Sequence, residues 1–307
     1  MQIRQKKLRG TTEATLNATW LGRRSIGLAI IAVSYILAVM LGLVVYSRVA
    51  GGMFMKLFAA DVAATLLIWL ISLICRNASV YDPYWSVQPP VILGLLLVGS
   101  KASPAVVSFY VLIAAWGIRL TANWVRTFRG LGSQDWRYDM IKERSGPLYP
   151  FASLIGIQLM PTVIVFGCIL PGAVVIAEGA SFSLMALAGL ATIAAGITLE
   201  AMADLQMHAF REETRDRSKI IRSGLWRHSR HPNYLGEMMV WWGTYVFMLA
   251  SHPQRWPLVA GTLANTALFL LISIPMAERQ LARYKSGFAE YRSETRMLLP
   301  WPKRRAV

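Results

Sequence analysis

Long apolar runs separated by clusters of lysine and arginine constrain this chain more than any other feature of its sequence. Eight runs stand out, over 26–47, 53–75, 87–100, 104–125, 151–177, 182–203, 235–250 and 257–276. A helix needs about 20 apolar residues to cross a bilayer, and most of these runs reach that length. The composition agrees with lipid as the solvent. Of the 307 residues 55% are hydrophobic and 16% charged, against about 25% charged in a soluble domain. The mean hydropathy is +0.44. The expected fold is therefore an all-α polytopic membrane protein with about eight transmembrane helices, seven being the alternative count. The run over 87–100 is short and begins near Pro89 and Pro90, so a partial or re-entrant span is expected there. Pro161 and Pro171 predict a kink in the run over 151–177.

The charge distribution orients these spans. The chain has 32 Lys and Arg against 16 Asp and Glu, a net charge of +16. Such a balance can mark a nucleic-acid binder, but here the cations cluster between apolar runs, which is the positive-inside pattern. No nucleic-acid partner is expected. Six Lys/Arg fall in 1–24, six in 119–144, seven in 211–230 and eight in 279–305. Eight spans place all four clusters and both termini on the cytoplasmic side, with the loops of Glu178 and Arg255 outside. Seven spans would put the N-terminal arm opposite the tail. Residues 1–25 read as a basic cytoplasmic arm, too long before its first apolar run for a removable signal. Residues 26–302 read as a single membrane domain and 303–307 as a basic tail. Cys75 and Cys168 lie in apolar runs without metal-ligand spacing and read as buried hydrophobes.

Polar residues collect at the ends of the runs expected to face the cytoplasm. The densest stretch is KIIRSGLWRHSRHPNYLGE over 219–237, where Asn233 and Glu237, four apart, share a helix face. A carboxylate on a helix entering lipid needs a partner or a ligand. Glu200 and Asp204 stand one turn apart, and Asp204 and Arg211 share a face. In the tail, Tyr284 and Tyr291 are expected to face one way. Arg119, Asn123 and Arg126 form a stripe, and Tyr81, Asp82 and Tyr84 lie in a turn between two apolar runs. Within the spans, Asp61 and Gln158 are the main polar residues, too few to line a transport path. Cations and helix-end donors at one membrane face can hold nucleotide phosphates. No GxGxxG after a strand and no Walker loop is present, which excludes a soluble Rossmann module.

The run SRHPNYLGE, with GLW before it and FAEYRSETRMLLPWP near the end, resembles the steroid 5-alpha-reductase superfamily, and more closely its bacterial branch of unknown function. The resemblance implies a cytoplasmic cofactor-binding cap on the membrane fold, NADPH as cofactor, and reduction of a C=C bond in a lipid-like enone or steroid. It also implies an integral protein of a bacterial inner membrane whose partners are a lipophilic small molecule and membrane lipids. The family's cofactor positions fall on Asp204, Arg211, Asn233, Glu237 and Tyr284. Lys219 and Arg126 stand where the reductases carry arginines, and Glu200 where they carry an asparagine. The reductases' adjacent Gln-Glu pair is missing from the early spans, and Asn123 takes the place of their tyrosine. Enone reduction still requires a donor to the carbonyl oxygen, and Tyr81, Asp82 and Tyr84 are the candidates. Two other readings fit the same motifs. One is an S-adenosylmethionine-dependent membrane methyltransferase of the isoprenylcysteine or phospholipid type. The other is a lipid-binding or transport protein without catalysis.

Overall fold

The computed structural model describes residues 22–214 and 216–300 of the chain. All but the last four residues of the expected 1–25 arm, and the whole 303–307 tail, lie outside the described residues. Among the described residues the fold is helical, with no strand and one isolated bridge between Ser229 and Arg296. The main helices are α1 (Arg24–Arg48), α2 (Met53–Ile74), α3 (Tyr84–Val98), α4 (Pro104–Thr127) and α5 (Trp136–Ser145). After a single turn, Tyr149–Ala152, come α6 (Met160–Glu178), α7 (Leu184–Glu213), α8 (Pro232–Leu249), α9 (Val259–Leu268), α10 (Ile274–Tyr284) and α11 (Phe288–Glu294).

Among the described residues six helical stretches are long and apolar enough to cross a membrane: α1, α2, α4, Trp136–Glu178, α7 and Pro253–Tyr284. They point to an integral membrane protein. The other two expected spans also fold as helix but fall outside that set. At 1.5 Å per residue, the 15 residues of α3 cover less than a bilayer core of about 30 Å. Helix α8 carries Glu237 and buries eleven of its 18 residues, so its solvent is largely protein. The outward apolar side chains of α1, among them Ile36, Met40 and Val44, suit contact with lipid chains.

The expected kink in the fifth run takes the form of a π-helix over Ser153–Leu159. A second π segment, Phe269–Ser273, interrupts the last long stretch. Each ends two residues before a proline, Pro161 or Pro275. Proline has no N–H for the carbonyl four residues back, and its ring crowds that carbonyl. A locally wider turn relieves the crowding without ending the helix.

By internal contacts the chain divides into two compact units. One runs to Ile92 and includes Gly117–Phe166; the other comprises Leu93–Trp116 and Gly167 onward. In the first unit, Ile31, Ala38, Ile68, Val80, Tyr81 and Tyr84 form the core. The turn ahead of α3 is tied down by Asn77, whose amide donates to the carbonyls of Leu131 (2.8 Å) and Ser133 (3.0 Å). In the second unit, glycines set the packing of α7 against α8. A Cβ at Gly196 would lie 2.6 Å from the Gly236 carbonyl oxygen, and one at Gly243 would lie 2.8 Å from that of Gly189. Gly189 and Gly196, like Gly236 and Gly243, are seven apart, so each helix presents a bare stripe that lets the backbones touch. The loops of Glu178 and Arg255 also meet within this unit, in an ion pair of 2.5 Å.

Candidate functional site

Each unit holds a buried polar cluster, and the two differ in chemistry. In the first unit the cluster is built on α2, where Asp61, Thr65, Ile68 and Ser72 share the buried face. The Tyr84 hydroxyl donates to Asp61 Oδ1 at 2.9 Å, and the Gln88 amide donates to Asp61 Oδ2 at 2.7 Å. Thr65 hydrogen-bonds Tyr84 and also Thr162 of α6, at 3.1 Å. Thr162 in turn pairs with the Tyr81 hydroxyl at 2.8 Å. The rings of Tyr81 and Tyr84 stack at 5.3 Å, and Tyr35 meets Tyr84 edge-on. Apart from the half-buried Tyr35 these polar residues are buried; Asp61 is 2% exposed.

Gln158, in the first π segment, is fully buried, and neither its amide nitrogen nor its oxygen has a hydrogen-bond partner. A buried polar group left unpaired costs about 1–3 kcal/mol. Gln158 stands one turn before Thr162 on the same helical line, so it faces the side on which Thr162 meets Thr65 and Tyr81.

The catalytic candidates therefore part company. Tyr81 and Tyr84 belong to this network. Asp82 points elsewhere, accepting the Tyr138 hydroxyl at 2.5 Å. Burial pushes the Asp82 carboxyl up to about 6, against the downward pull of its bonds from Tyr138 and Ser79. Arg126, at the end of α4, is exposed.

In the second unit the polar groups are charged and hold the backbone together. Arg230 Nε donates to Glu278 Oε1 at 2.7 Å, and its Nη1 reaches the carbonyls of Arg292 (3.2 Å) and Thr295. His231 Nε2 lies 3.3 Å from the same Glu278 oxygen. Tyr291 donates to the Trp226 carbonyl at 2.5 Å, and burial pushes its hydroxyl up to about 12. Arg222 reaches Glu290 (2.8 Å) and Glu294 (3.4 Å). Lys285 Nζ donates to the carbonyls of Arg217 (2.6 Å) and Lys219 (2.8 Å). The loop over 216–231 and the tail over 285–296 thus form one hydrogen-bonded body. The Arg and His of the SRHP motif are its central fasteners.

The cofactor candidates of this unit fall into three groups. Arg211 and Lys219 are exposed, and Asp204 and Asn233 are half-buried. Glu237 is buried between two indoles: Trp116 Nε1 donates to its Oε2 at 2.8 Å and Trp241 Nε1 to its Oε1 at 2.7 Å. The expectation that Tyr284 and Tyr291 face one way is corrected. The helix breaks at Lys285, and Gly287 takes φ +74°. Tyr284 is left 66% exposed while Tyr291 is 3% exposed on the next helix.

The sequence reading singled out Asp61 and Gln158 only as isolated polar residues, and it missed Gln88, Thr65 and Thr162. The signal that could have found them is spacing: Asp61 and Thr65 on one face of α2, with Gln158 and Thr162 on one face of α6 and its π extension.

No curated protein and no solved structure matches this chain. A family model described as "Protein of unknown function (DUF1295)" matches residues 68–295, which takes in both polar clusters except Tyr35, Asp61 and Thr65. The chain belongs to that family.

Proposed function

We propose that the protein is a membrane-embedded NADPH-dependent reductase of a C=C bond conjugated to a carbonyl in a lipid-like substrate. The observation that carries the reading is the Tyr84–Asp61 pair, a hydroxyl on a carboxyl, both buried among apolar helices. Reduction of an enone builds negative charge on the carbonyl oxygen, and a fixed donor in a dry site stabilises that charge far better than water does. Tyr84 has one hydroxyl hydrogen. With Asp61 ionised, that hydrogen goes to the carboxylate. With Asp61 carrying its own proton, the carboxyl donates to Tyr84 and frees the tyrosine's hydrogen for the substrate carbonyl. Gln88 holds the second carboxyl oxygen and fixes the orientation of Asp61.

NADPH, when bound, supplies the hydride. The residues of the second unit fit parts of that cofactor and not others. Arg211 and Lys219 are exposed cations suited to phosphates. Asp204 and Asn233 offer half-buried acceptor and amide groups of the kind that bind ribose hydroxyls or a carboxamide. In the first unit, Arg126 is a further exposed cation. Glu237 does not fit, because both of its carboxyl oxygens already accept indole N–H groups; its role is to brace α8. We assign Tyr84 as the donor, Asp61 and Gln88 as its positioning residues, and Arg230 and His231 as the fasteners of a cytoplasmic cap. In this reading all eight helices cross or enter a bacterial inner membrane, with both termini cytoplasmic.

The test uses purified protein in lipid nanodiscs. NADPH should raise the melting temperature and S-adenosylmethionine should not, since a ligand at a hundredfold its Kd stabilises by about 2.7 kcal/mol. A 3-tetradecylcyclohex-2-enone should accelerate loss of NADPH absorbance, and Tyr84→Phe should lower kcat at least about a hundredfold. Stabilisation by S-adenosylmethionine alone, or an unchanged kcat in Tyr84→Phe, refutes the assignment.

A further inference from the structure

We infer that Gln158 is a ligand-binding residue, and that the ligand of the first unit is a neutral lipophilic molecule whose polar end carries a carbonyl or hydroxyl oxygen. The inference rests on the reductase reading only for identifying that oxygen with the enone carbonyl.

Every other polar side chain of the network is engaged. Asp61 accepts two hydrogen bonds, and Tyr84, Thr65, Thr162 and Tyr81 form a continuous chain. Gln158 alone keeps its whole capacity, two N–H donors and a carbonyl acceptor, with both amide ends buried and unpartnered. Its place in the fold is specific. The π segment of Ser153–Leu159 widens the helix there, and such segments recur at functional positions. The opposing face of α2 offers no substitute partner. Thr65 is taken by Thr162, Ile68 is apolar, and the Ser72 hydroxyl donates to its own helix at the Ile68 carbonyl.

The charges of the network decide the class of ligand. It contains one carboxyl, Asp61, and no cation. An anionic head group would find no cation in this network to neutralise it, and burying an unpaired anion is costly. A neutral oxygen suits an amide that can donate to it.

The experiment is thermal unfolding of the full protein in nanodiscs with three probes: 3-tetradecylcyclohex-2-enone, the matching 1-tetradecylcyclohexene without oxygen, and palmitate. The enone should stabilise the native protein and the other two should not. Gln158→Leu removes the unpaired amide. The inference expects it to raise the melting temperature of the unliganded protein by about 2–4 °C and to weaken enone binding at least tenfold. Gln158→Met, closer in shape, should behave alike. A glutamine with a purely structural partner predicts the reverse, a lowered melting temperature with enone stabilisation intact. Enone stabilisation that survives both substitutions, or is absent in the native protein, overturns the inference. Binding lost in both variants alongside a native protein that binds the enone but never oxidises NADPH would sink the reductase reading and leave the ligand site standing.

Discussion

The two units solve the same problem in opposite ways. Both bury polar side chains in a largely apolar helical fold. The second unit sets its buried charged side chains against donors of its own: Arg230 and His231 meet Glu278, and Glu237 lies between Trp116 and Trp241. The first unit buries mainly hydroxyls and amides around a single carboxyl, and leaves Gln158 unpartnered. A cluster whose members are saturated by their own protein is a fastener. A cluster that retains an unpaired donor and acceptor is built to receive something. The most conspicuous residues in the sequence, Arg230 and His231 of SRHP, belong to the fastener.

The largest effect should follow from breaking the second unit's ion pair. Arg230→Ala leaves Glu278 buried without its main cation and frees the carbonyls of Arg292 and Thr295. A loss of about 3–5 kcal/mol is expected, read as the unfolding free energy in mild detergent. The double variant Arg230→Met with Glu278→Leu should recover most of it, because a well-packed apolar pair can replace a buried ion pair. If the double variant stays as unstable as Arg230→Ala, these charges do more than fasten.

The next contrast is between glycines. Gly196→Ala drives a methyl to 2.6 Å from the Gly236 carbonyl oxygen and 3.1 Å from the Val240 nitrogen, backbone atoms that cannot swing aside. A cost of about 1–3 kcal/mol is expected from overpacking. In the first unit, nothing lies within 4 Å of a Cβ at Gly156. Gly156→Ala should be neutral, or stabilising by up to about 1 kcal/mol. Thermal melts of the two variants side by side measure how tightly the α7–α8 seam is closed.

A smaller effect depends on pH. Asp82 titrates near 6 when folded, against an ordinary 3.8, so the folded state holds this proton more tightly than the unfolded chain. Its contribution to stability is therefore fully present below about 4, falls as pH rises toward about 6, and is constant above. Allowing for its half-buried position, roughly 1–2 kcal/mol should be lost across that window. Asp82→Asn should flatten the slope. An unchanged slope would mean that another group titrates there.

Much of this organisation could be read from the sequence, for definite physical reasons. The helices follow from the length of the apolar runs, and the wide turn of the fifth run from Pro161, whereas Pro171 sits inside an α-helix that continues through it and the second wide turn, before Pro275, was not foreseen. Long-range pairing could not be read. Thr65 and Thr162 bond across helices, whereas Thr192 and Thr198 bond the carbonyls four residues back in their own helix. Nothing local separates the two kinds. Glu237 looked like a ligand because a carboxyl in an apolar helix needs a partner. The partner was indole N–H from Trp116, 121 positions away, and from Trp241, one turn on. The tyrosines of the tail misled because heptad spacing has meaning only within an unbroken helix, and Gly287 ends that continuity.

The smallest effect concerns how the tail is held. Arg222 joins the loop to α11 through Glu290, Glu294 and the Gly287 carbonyl, and its partner Glu290 raises its pKa further. Its side chain is 37% exposed and the glutamates 63% and 55%, so water and salt screen the attraction. Exposed pairs contribute about 0.2–1 kcal/mol, and Arg222→Ala should cost an amount in that range, shrinking as salt is added. Beside it, Tyr291 anchors the same helix through a buried hydroxyl on the Trp226 carbonyl. If the buried contacts fasten the tail and the surface pairs only guide it, Arg222→Ala should leave amide-exchange protection of 288–294 nearly intact, while Tyr291→Phe lowers it clearly. Equal loss of protection in the two variants would place the fastening at the surface, and the contrast between a saturated buried cluster and an unsaturated one would lose its first half.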